Sequence, residues 1–549
     1  MKDVTMKKHN FVKGAFITTF GIVISKLLGI LYVIPFHAVI GEKGGALYGY
    51  AYTIYAIFMS IATAGIPLAI SRVVSEYQTL GYYNTKKRVF YLGKKISFIL
   101  GIICFVLIVL LAPFLAKAVL GNVTGGNTVE DVTFVIRVIG TAILIVPLLS
   151  VYRGYFEGHR FMSPPSISQV IEQIVRVFVI IFGSYLTLKV FHWNLTSSVG
   201  IAIFGATVGA IASYLYLLDK RWKNRAKFNE KIRSVNEPIV TDKVILRKIF
   251  IYAIPFIFID IFKSLYNCVD MVTVVKGLVH FASYTATNAE TVYAMLSTWA
   301  SKFNMIVLAI SSGVIVSLIP NLTESIVKKE HDDIQKKITQ AFSILLYLTI
   351  PLTFGISFLA KPIWILFYGQ STFGPSVLAY YIFVGFFVGL FTATVTILQT
   401  LKDYKAVFIG LVIGVIFKIL LNSNLILAFY KMGFPPYYGV ITASIIGYLT
   451  SFIYCVLVLH FNYQIKFEEI VKNFIDILCG TFFMILILMF MRLIVPIPSP
   501  NRIINLLLII FYGVIGMVVY FGYAHFNKLT NKIFGREIIR TIQKIFLKK

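Results

Sequence analysis

The sequence predicts an all-α polytopic membrane protein with fourteen transmembrane helices, and three observations carry that reading. The 549 residues are 58% hydrophobic, with a mean hydropathy of +0.84. Only 13% are charged, too few to cover the surface of a soluble domain of this size. The apolar residues are gathered into runs of about twenty, the length that crosses a bilayer as a helix. A net charge of +28 does not indicate nucleic acid, because the basic residues punctuate the segments between apolar runs instead of sharing one face.

The elements follow in order. Lys2, Lys7, Lys8 and Lys13 precede a first run near 15–37, too long for a secretory h-region and without a small-residue cleavage site, so it reads as an uncleaved helix. Further spans lie near 48–70, 96–119, 132–152, 166–188, 198–218, 249–272, 291–319, 338–360, 376–400, 406–429, 438–460, 473–495 and 503–523. With the N-terminus inside, both termini are cytoplasmic. Of the 51 Lys and Arg, eight are then external or within three residues of an external span end (Lys43, Lys117, Lys189, Lys276, Lys361, Lys431, Arg492, Arg502), six lie deeper within spans, and the rest are cytoplasmic. Moving the topology by one helix would invert this bias, so the positive-inside rule supports a plasma-membrane protein in this orientation.

The longest polar segment, 219–248, holds ten basic residues and reads as a linker lying on anionic membrane lipid. It divides the chain into an N-lobe (1–222, spans 1–6), a basic linker (223–248), a C-lobe (249–462, spans 7–12), spans 13 and 14 (463–525) and a basic tail (526–549). A faint internal echo supports two six-helix lobes: Gly65 to Glu76 (GIPLAISRVVSE) ends span 2, and Gly313 to Glu324 (GVIVSLIPNLTE) ends span 8. Repeated lobes of this kind place a transporter's binding site at their interface.

Enzymatic chemistry finds little room. The eight histidines are scattered without ligand spacing, and no nucleophile elbow or phosphate loop is present, so no catalytic residue, metal or cofactor is expected. Cys104, Cys268, Cys455 and Cys479 lie in or at the end of spans and suggest no disulfide framework.

Five cations sit roughly ten to twelve residues inside their spans, near mid-bilayer at about 1.5 Å per residue: Lys26, Arg176, Lys263, Lys302 and Lys418. An intramembrane cation is expensive unless it is paired or faces a polar cavity, so together they suggest a path for an anion. Glu172 with Arg176 (i,i+4) and Asp260 with Lys263 (i,i+3) can neutralise each other along one helix face and read first as structural pairs. Lys418 has no acid near it on its own helix; Asp260 or Asp270 on span 7 could reach it, or it could meet a ligand. Lys26 and Lys302, at equal depth in opposite lobes, are the foremost candidates for ligand contact. Arg137, near the external end of span 4, can snorkel.

Three stretches carry a family resemblance: SKLLGILYVIPF (Ser25 to Phe36), AGIPLAISRVVSEY (Ala64 to Tyr77) and RGYFEGHRFMSPPSISQVIEQIVRV (Arg153 to Val177). In the last, Gly154 and Gly158 are expected to allow a tight cytoplasmic turn, and Pro164 and Pro165 to start the next helix. The chain resembles the MurJ-like branch of the multidrug/oligosaccharidyl-lipid/polysaccharide exporter superfamily, of the Gram-positive YtgP and SpoVB type, over its whole length. That resemblance implies a V-shaped pair of six-helix lobes plus two C-terminal helices. It also implies a flippase for undecaprenyl-diphosphate-linked sugars, chiefly the peptidoglycan precursor lipid II, moved outward by alternating access under the membrane potential or an ion gradient. Spore-cortex, teichoic or capsular precursors are alternative loads, and a cation-coupled drug exporter is the alternative within the superfamily. The implied partners are the lipid-linked diphosphate, membrane lipids and the cell-wall synthesis machinery. By resemblance, Ser25, Lys26, Tyr32, Arg176 and Lys302 would line a cationic cavity, with Lys26 where the family has a first-helix Arg and Tyr32 where it has a second. Spans 13 and 14 would border a groove for the lipid tail. Lys418, one turn before Asn422, would stand where the family binds sodium, its ammonium substituting for the ion.

Overall fold

A computed structural model of the chain describes residues 25–26, 28–63, 65–159, 161–228 and 237–534. The N-terminal lysines, the first part of span 1, Lys231 and Arg233 of the linker and most of the basic tail lie outside these residues. Among the described residues there is no β-strand. The helices are α1 (Val33–Thr63), α2 (Ile66–Thr79), α3 (Tyr83–Leu120), α4 (Val129–Gly158), α5 (Ser163–Phe178), α6 (Leu195–Lys223), α7 (Arg225–Phe228), α8 (Asp242–Ala282) and α9 (Ala286–Ala294). There follow α10 (Ser301–Lys328), α11 (His331–Phe358), α12 (Ala360–Tyr368), α13 (Gly374–Thr400), α14 (Tyr404–Lys431), α15 (Tyr437–Tyr463), α16 (Glu468–Ile494), α17 (Arg502–Phe526) and α18 (Leu529–Phe534).

Twelve helical stretches among the described residues are long and apolar enough to cross a membrane. One of them, Leu28–Thr79, has 52 residues, enough for two crossings, and is kinked at Gly41 (φ 61°). With α8, whose 41 residues extend about 60 Å, the fourteen expected crossings are accommodated.

The chain forms two compact units, Met1–Ala294 and Met295–Lys549. In the first, α4 is central and packs on α1, α2, α3 and α6, while α8 lies against α1, α2 and α3. In the second, α14 pairs with α15, α13 packs on α10 and α15, and α11 on α16. The expected linker is anchored at its far end. The Glu237 carboxylate accepts the backbone N–H groups of Asn84 (3.0 Å) and Thr85 (3.3 Å), capping α3. Arg88 donates to the Val240 carbonyl at 2.7 Å and pairs with Asp242, and Lys248 pairs with Glu76 at 2.6 Å. The hydrogen bond it donates to the Glu76 carboxylate holds the Lys248 ammonium pKa above its ordinary value.

The glycines of the third motif do something other than turn the chain. α4 continues helical through Gly158, and α5 begins at Ser163. A Cβ on Gly154 would lie 2.4 Å from the Pro67 carbonyl oxygen, and one on Gly158 2.8 Å from that of Ser71. The i,i+4 glycines are thus the seam where α4 meets the backbone of α2, the small-residue packing that membrane helices use in place of a hydrophobic drive. Gly65 combines two demands: its φ is 72°, and a Cβ there would lie 2.6 Å from the Ala253 oxygen on α8. Pro164 and Pro165 do open α5, as expected.

Gly154→Ala should therefore lower stability by about 1–3 kcal/mol through overpacking. Gly313→Ala, at a helical position with nothing within 4 Å, should be neutral or slightly stabilising. Thermal unfolding of both variants in detergent checks the contrast.

Candidate functional site

The first unit concentrates charge where α4, α5 and α6 meet. α4 ends at Gly158 and α5 starts at Ser163, so Arg153, near the end of α4, lies beside the first turns of α5. Its Nη2 donates to Glu172 Oε2 at 2.8 Å and to Ser213 Oγ at 3.1 Å, and its Nε donates to Ser168 Oγ at 3.0 Å. Arg176 pairs with the other carboxylate oxygen of Glu172 from one turn along α5. The expected pair is therefore a triad, two guanidiniums on one carboxylate, with a formal charge of +1. All three side chains are at most 23% exposed.

Close helix packing holds this geometry. A Cβ on Gly209 of α6 would lie 2.7 Å from the Glu172 carbonyl oxygen, so α6 runs directly against the charged turn of α5. Ser213 Oγ donates to the Ser168 carbonyl at 2.9 Å, tying the same two helices one turn away. On another side lies the first-span segment: a Cβ on Gly29 would sit 3.6 Å from Gln173 Nε2. Ser25 and Lys26 are one turn before that contact. Lys26 is half-buried and makes no hydrogen bond or ion pair with a described residue.

A ladder of aromatic rings flanks the triad. Tyr32 is buried, with its hydroxyl 3.4 Å from that of Tyr48. Tyr48 stacks on Tyr52 at 4.3 Å, and Tyr52 and Tyr55 lie within electrostatic reach of Arg176. Ser25 Oγ, Tyr52 OH and Arg176 Nε are buried without a hydrogen-bond partner among the described residues. Buried polar groups are nearly always satisfied by protein, water or ligand. This unit therefore offers three vacant donors together with a surplus positive charge.

The other candidates fall elsewhere. Asp260 is exposed and Lys263 half-buried on α8, and they do not close an ion pair. Asp270 is half-buried on the same helix, and Lys302 is half-buried at the start of α10. In the second unit the Lys418 ammonium, wholly buried, donates to Asn422 Oδ1 (3.0 Å), the Val440 carbonyl (3.2 Å) and Ser444 Oγ (2.6 Å). Three N–H donors meet three oxygens, the neutral-oxygen setting that also suits a small cation. Also in this unit, α11, α16 and α17 border an apolar groove of about 350 Å³, lined by Tyr347, Pro351, Met484, Leu488, Tyr512 and Tyr520 among others.

Arg153 and Ser213 were given no role by the sequence reading, whereas Ser168 was expected among the polar groups at the entrance of α5. Arg153 opens the third motif, and its position near the turn of a helical hairpin was the available signal. Glu290 was also missed. It is 2% exposed and accepts the Asn127 backbone N–H (3.0 Å) and side-chain amide (2.9 Å), tying α9 to the loop before α4. Among the described residues no three His, Cys, Asp or Glu side chains are grouped to hold a metal ion.

Comparison with known proteins adds to this geometry. The family described as "Polysaccharide biosynthesis protein" matches residues 11–326. Lipid II flippase MurJ of Bacillus subtilis (strain 168) is 33% identical over 471 residues, covering 84% of this chain and 85% of that one. A solved structure of lipid II flippase MurJ in an inward closed conformation aligns with a TM-score of 0.67 and 15% identity, covering 96% of this chain and 100% of that chain. An inward-facing MATE-family multidrug transporter of the MOP superfamily aligns with a TM-score of 0.60 and 11% identity, over 81% and 99%. At these identities the structural likeness establishes the fold.

The triad makes the cost of substitution unequal. Glu172→Gln strands two arginines and should cost about 3–5 kcal/mol, whereas Arg176→Met leaves the Arg153–Glu172 pair intact and should cost less. Replacing Glu172 and Arg176 together still strands Arg153, so only a triple apolar replacement should approach the parent. Thermal unfolding in detergent ranks the variants; equal losses from Glu172→Gln and Arg176→Met would refute the shared carboxylate.

Proposed function

From a chain that belongs to the polysaccharide biosynthesis protein family and to the MurJ-like branch of the multidrug/oligosaccharidyl-lipid/polysaccharide exporters, we propose a flippase that carries lipid II from the inner to the outer leaflet of the plasma membrane. The observation that carries this reading is the cationic cluster of the first unit, with Ser25 Oγ, Tyr52 OH, Arg176 Nε and the nearby Lys26 ammonium all without a hydrogen-bond or ion-pair partner among the described residues.

A diphosphate cannot enter hydrocarbon with its hydration shell lost and its charge unmatched. Lys26 and Arg176 replace that shell by charge-assisted hydrogen bonds, and Ser25 and Tyr52 supply neutral donors; Lys302 adds a charge-assisted contact of its own during transport. Tyr32 braces Tyr48 beneath this surface. The apolar groove along α16 and α17 takes part of the polyprenyl chain, which gains by burial there what it gains among lipid tails and is oriented by the groove wall. Moving about two negative charges outward across an inside-negative membrane is favourable by roughly 2.3 kcal/mol per charge per 100 mV. The emptied, positive site is drawn back inward by the same field. In this scheme Lys418 provides a fixed positive charge within its three oxygens, and the potential drives alternating access between two lobes. Both termini are cytoplasmic, and delivery at the outer surface hands the load to the cell-wall synthesis machinery.

Lys26→Ala should accumulate in the membrane at the parental level yet fail to support growth of Gram-positive cells depleted of their own flippase, with lipid II building up in the inner leaflet. Complementation, protein level and the identity of the accumulating lipid are measured together. Normal growth from a well-expressed Lys26→Ala protein would sink the role of Lys26, and accumulation of a different lipid-linked saccharide would replace lipid II as the load. Lys302→Gln should weaken lipid II binding by about tenfold, the loss of one charge-assisted contact, in a titration of purified protein.

A further inference from the structure

In the first unit, the start of α3 and the ends of α4 and α6 meet the short helix α7 around a cavity of about 280 Å³. This is close to the lower bound, about 300 Å³, of typical small-molecule sites. Three cations line it, Lys87, Arg221 and Arg225, with no carboxylate among the lining residues. None of the three makes a hydrogen bond or ion pair with any described residue. The two arginines lie beside aromatic rings instead. Arg221 lies over Phe90 at 4.1 Å and within 5.8 Å of Tyr155, and Arg225 is 5.7 Å from Trp222. Lys94 approaches the same Phe90 ring at 5.9 Å, adding a fourth positive charge nearby.

We infer that this cavity binds a phosphate-bearing anion, its phosphate held by Lys87, Arg221 and Arg225. A guanidinium stacked on a ring engages through its face, so all its N–H donors, directed along its plane, remain open to an acceptor. Stacking also fixes the plane, so less freedom is lost when a ligand docks. Like charges held together cost free energy unless an anion neutralises them. A phosphate group, with several acceptor oxygens in a compact volume, matches three converging cations better than a single carboxylate does. Tyr91 and Trp222, 60% and 66% exposed, stand at the cavity with the amphipathic rings that favour the membrane–water boundary. Two sources supply such a group there: the headgroup of an anionic phospholipid, or a soluble phosphate compound. The assignment of this end to the inner leaflet rests on the orientation proposed above; the binding chemistry does not.

Native mass spectrometry of the purified full-length protein, titrated with phosphatidylglycerol, with phosphatidylcholine and with phosphatidylglycerol plus inorganic phosphate, tests the site. One phosphatidylglycerol should be retained in preference to phosphatidylcholine. Lys87→Gln/Arg221→Gln should lose that occupancy by about tenfold or more, as expected when charge-assisted contacts are removed. Displacement by inorganic phosphate would assign the site to soluble phosphates as well, and resistance to it would assign the site to the lipid. Equal retention of the two lipids without thermal stabilisation by phosphate would overturn the proposal, as would parental binding by the double variant. Should the double variant unfold, Arg225→Gln at the exposed rim provides the same comparison, and its parental affinity would count against the site. A membrane-impermeant maleimide on Asn224→Cys reads the orientation separately: labelling from outside intact cells would overturn the topology of the proposed function and leave the lipid titration to decide the site.

Discussion

Charge buried at membrane depth must be neutralised where it lies, and the first unit is arranged around one solution to that problem. Glu172 is held between Arg153 and Arg176, and this requires α4, α5 and α6 to approach so closely that Gly209 has no room for a side chain. The serines at 168 and 213 complete the shell of Arg153. Because the desolvation cost of such ions is several kcal/mol each, the position of these helices is specified more sharply than apolar packing would specify it. The odd number of charges matters equally. Two cations on one anion leave a residual field that a second anion can satisfy.

The second unit solves the same problem with neutral groups. Lys418 is as buried as any residue in the protein, and an amide, a hydroxyl and a backbone carbonyl take its three protons. The carbonyl and hydroxyl come from one turn of α15, Val440 and Ser444, while Asn422 belongs to the lysine's own helix. This ties α14 to α15 at a fixed register. The unit also carries the long apolar groove, so the two halves of the chain differ in chemical character: one presents surplus charge, the other a greasy furrow. On the function proposed here, that difference corresponds to the two ends of an amphiphile.

Much of this was legible in the sequence, and the part that was not has a common physical cause. Apolar runs separated by basic segments gave the spans, because hydrocarbon thickness fixes their length. Glu172 with Arg176 and Lys418 with Asn422 were readable since i,i+4 neighbours on a helix meet whatever the tertiary structure. Arg153 with Glu172, and Lys418 with Ser444, join different helices, and one sequence contains no measure of that proximity. Gly154 and Gly158 illustrate an ambiguity of a different kind. Glycine marks both turns and close helix contacts, and the two prolines just downstream drew the reading toward a turn. Helix ends were also hidden. Tyr83–Leu120 and Asp242–Ala282 continue well beyond their apolar runs, since polar residues outside the membrane can extend a helix that the bilayer has already nucleated.

The anchoring of α8 to α2 and α3 through Glu237, Arg88, Lys248 and the bare backbone at Gly65 bears on how the protein is made. The first compact unit includes a helix that lies after the basic linker, and it closes only with the Glu290–Asn127 contact from α9. During synthesis, six inserted helices are therefore still an incomplete body, with the faces of α1, α2 and α3 that receive α8 open to lipid. The nascent chain must deliver roughly another seventy residues, α8 and α9 included, before those faces are covered. A ribosome pausing within the linker would hold the protein in its most vulnerable state, and a chain severed there would yield fragments that each lack part of the same unit.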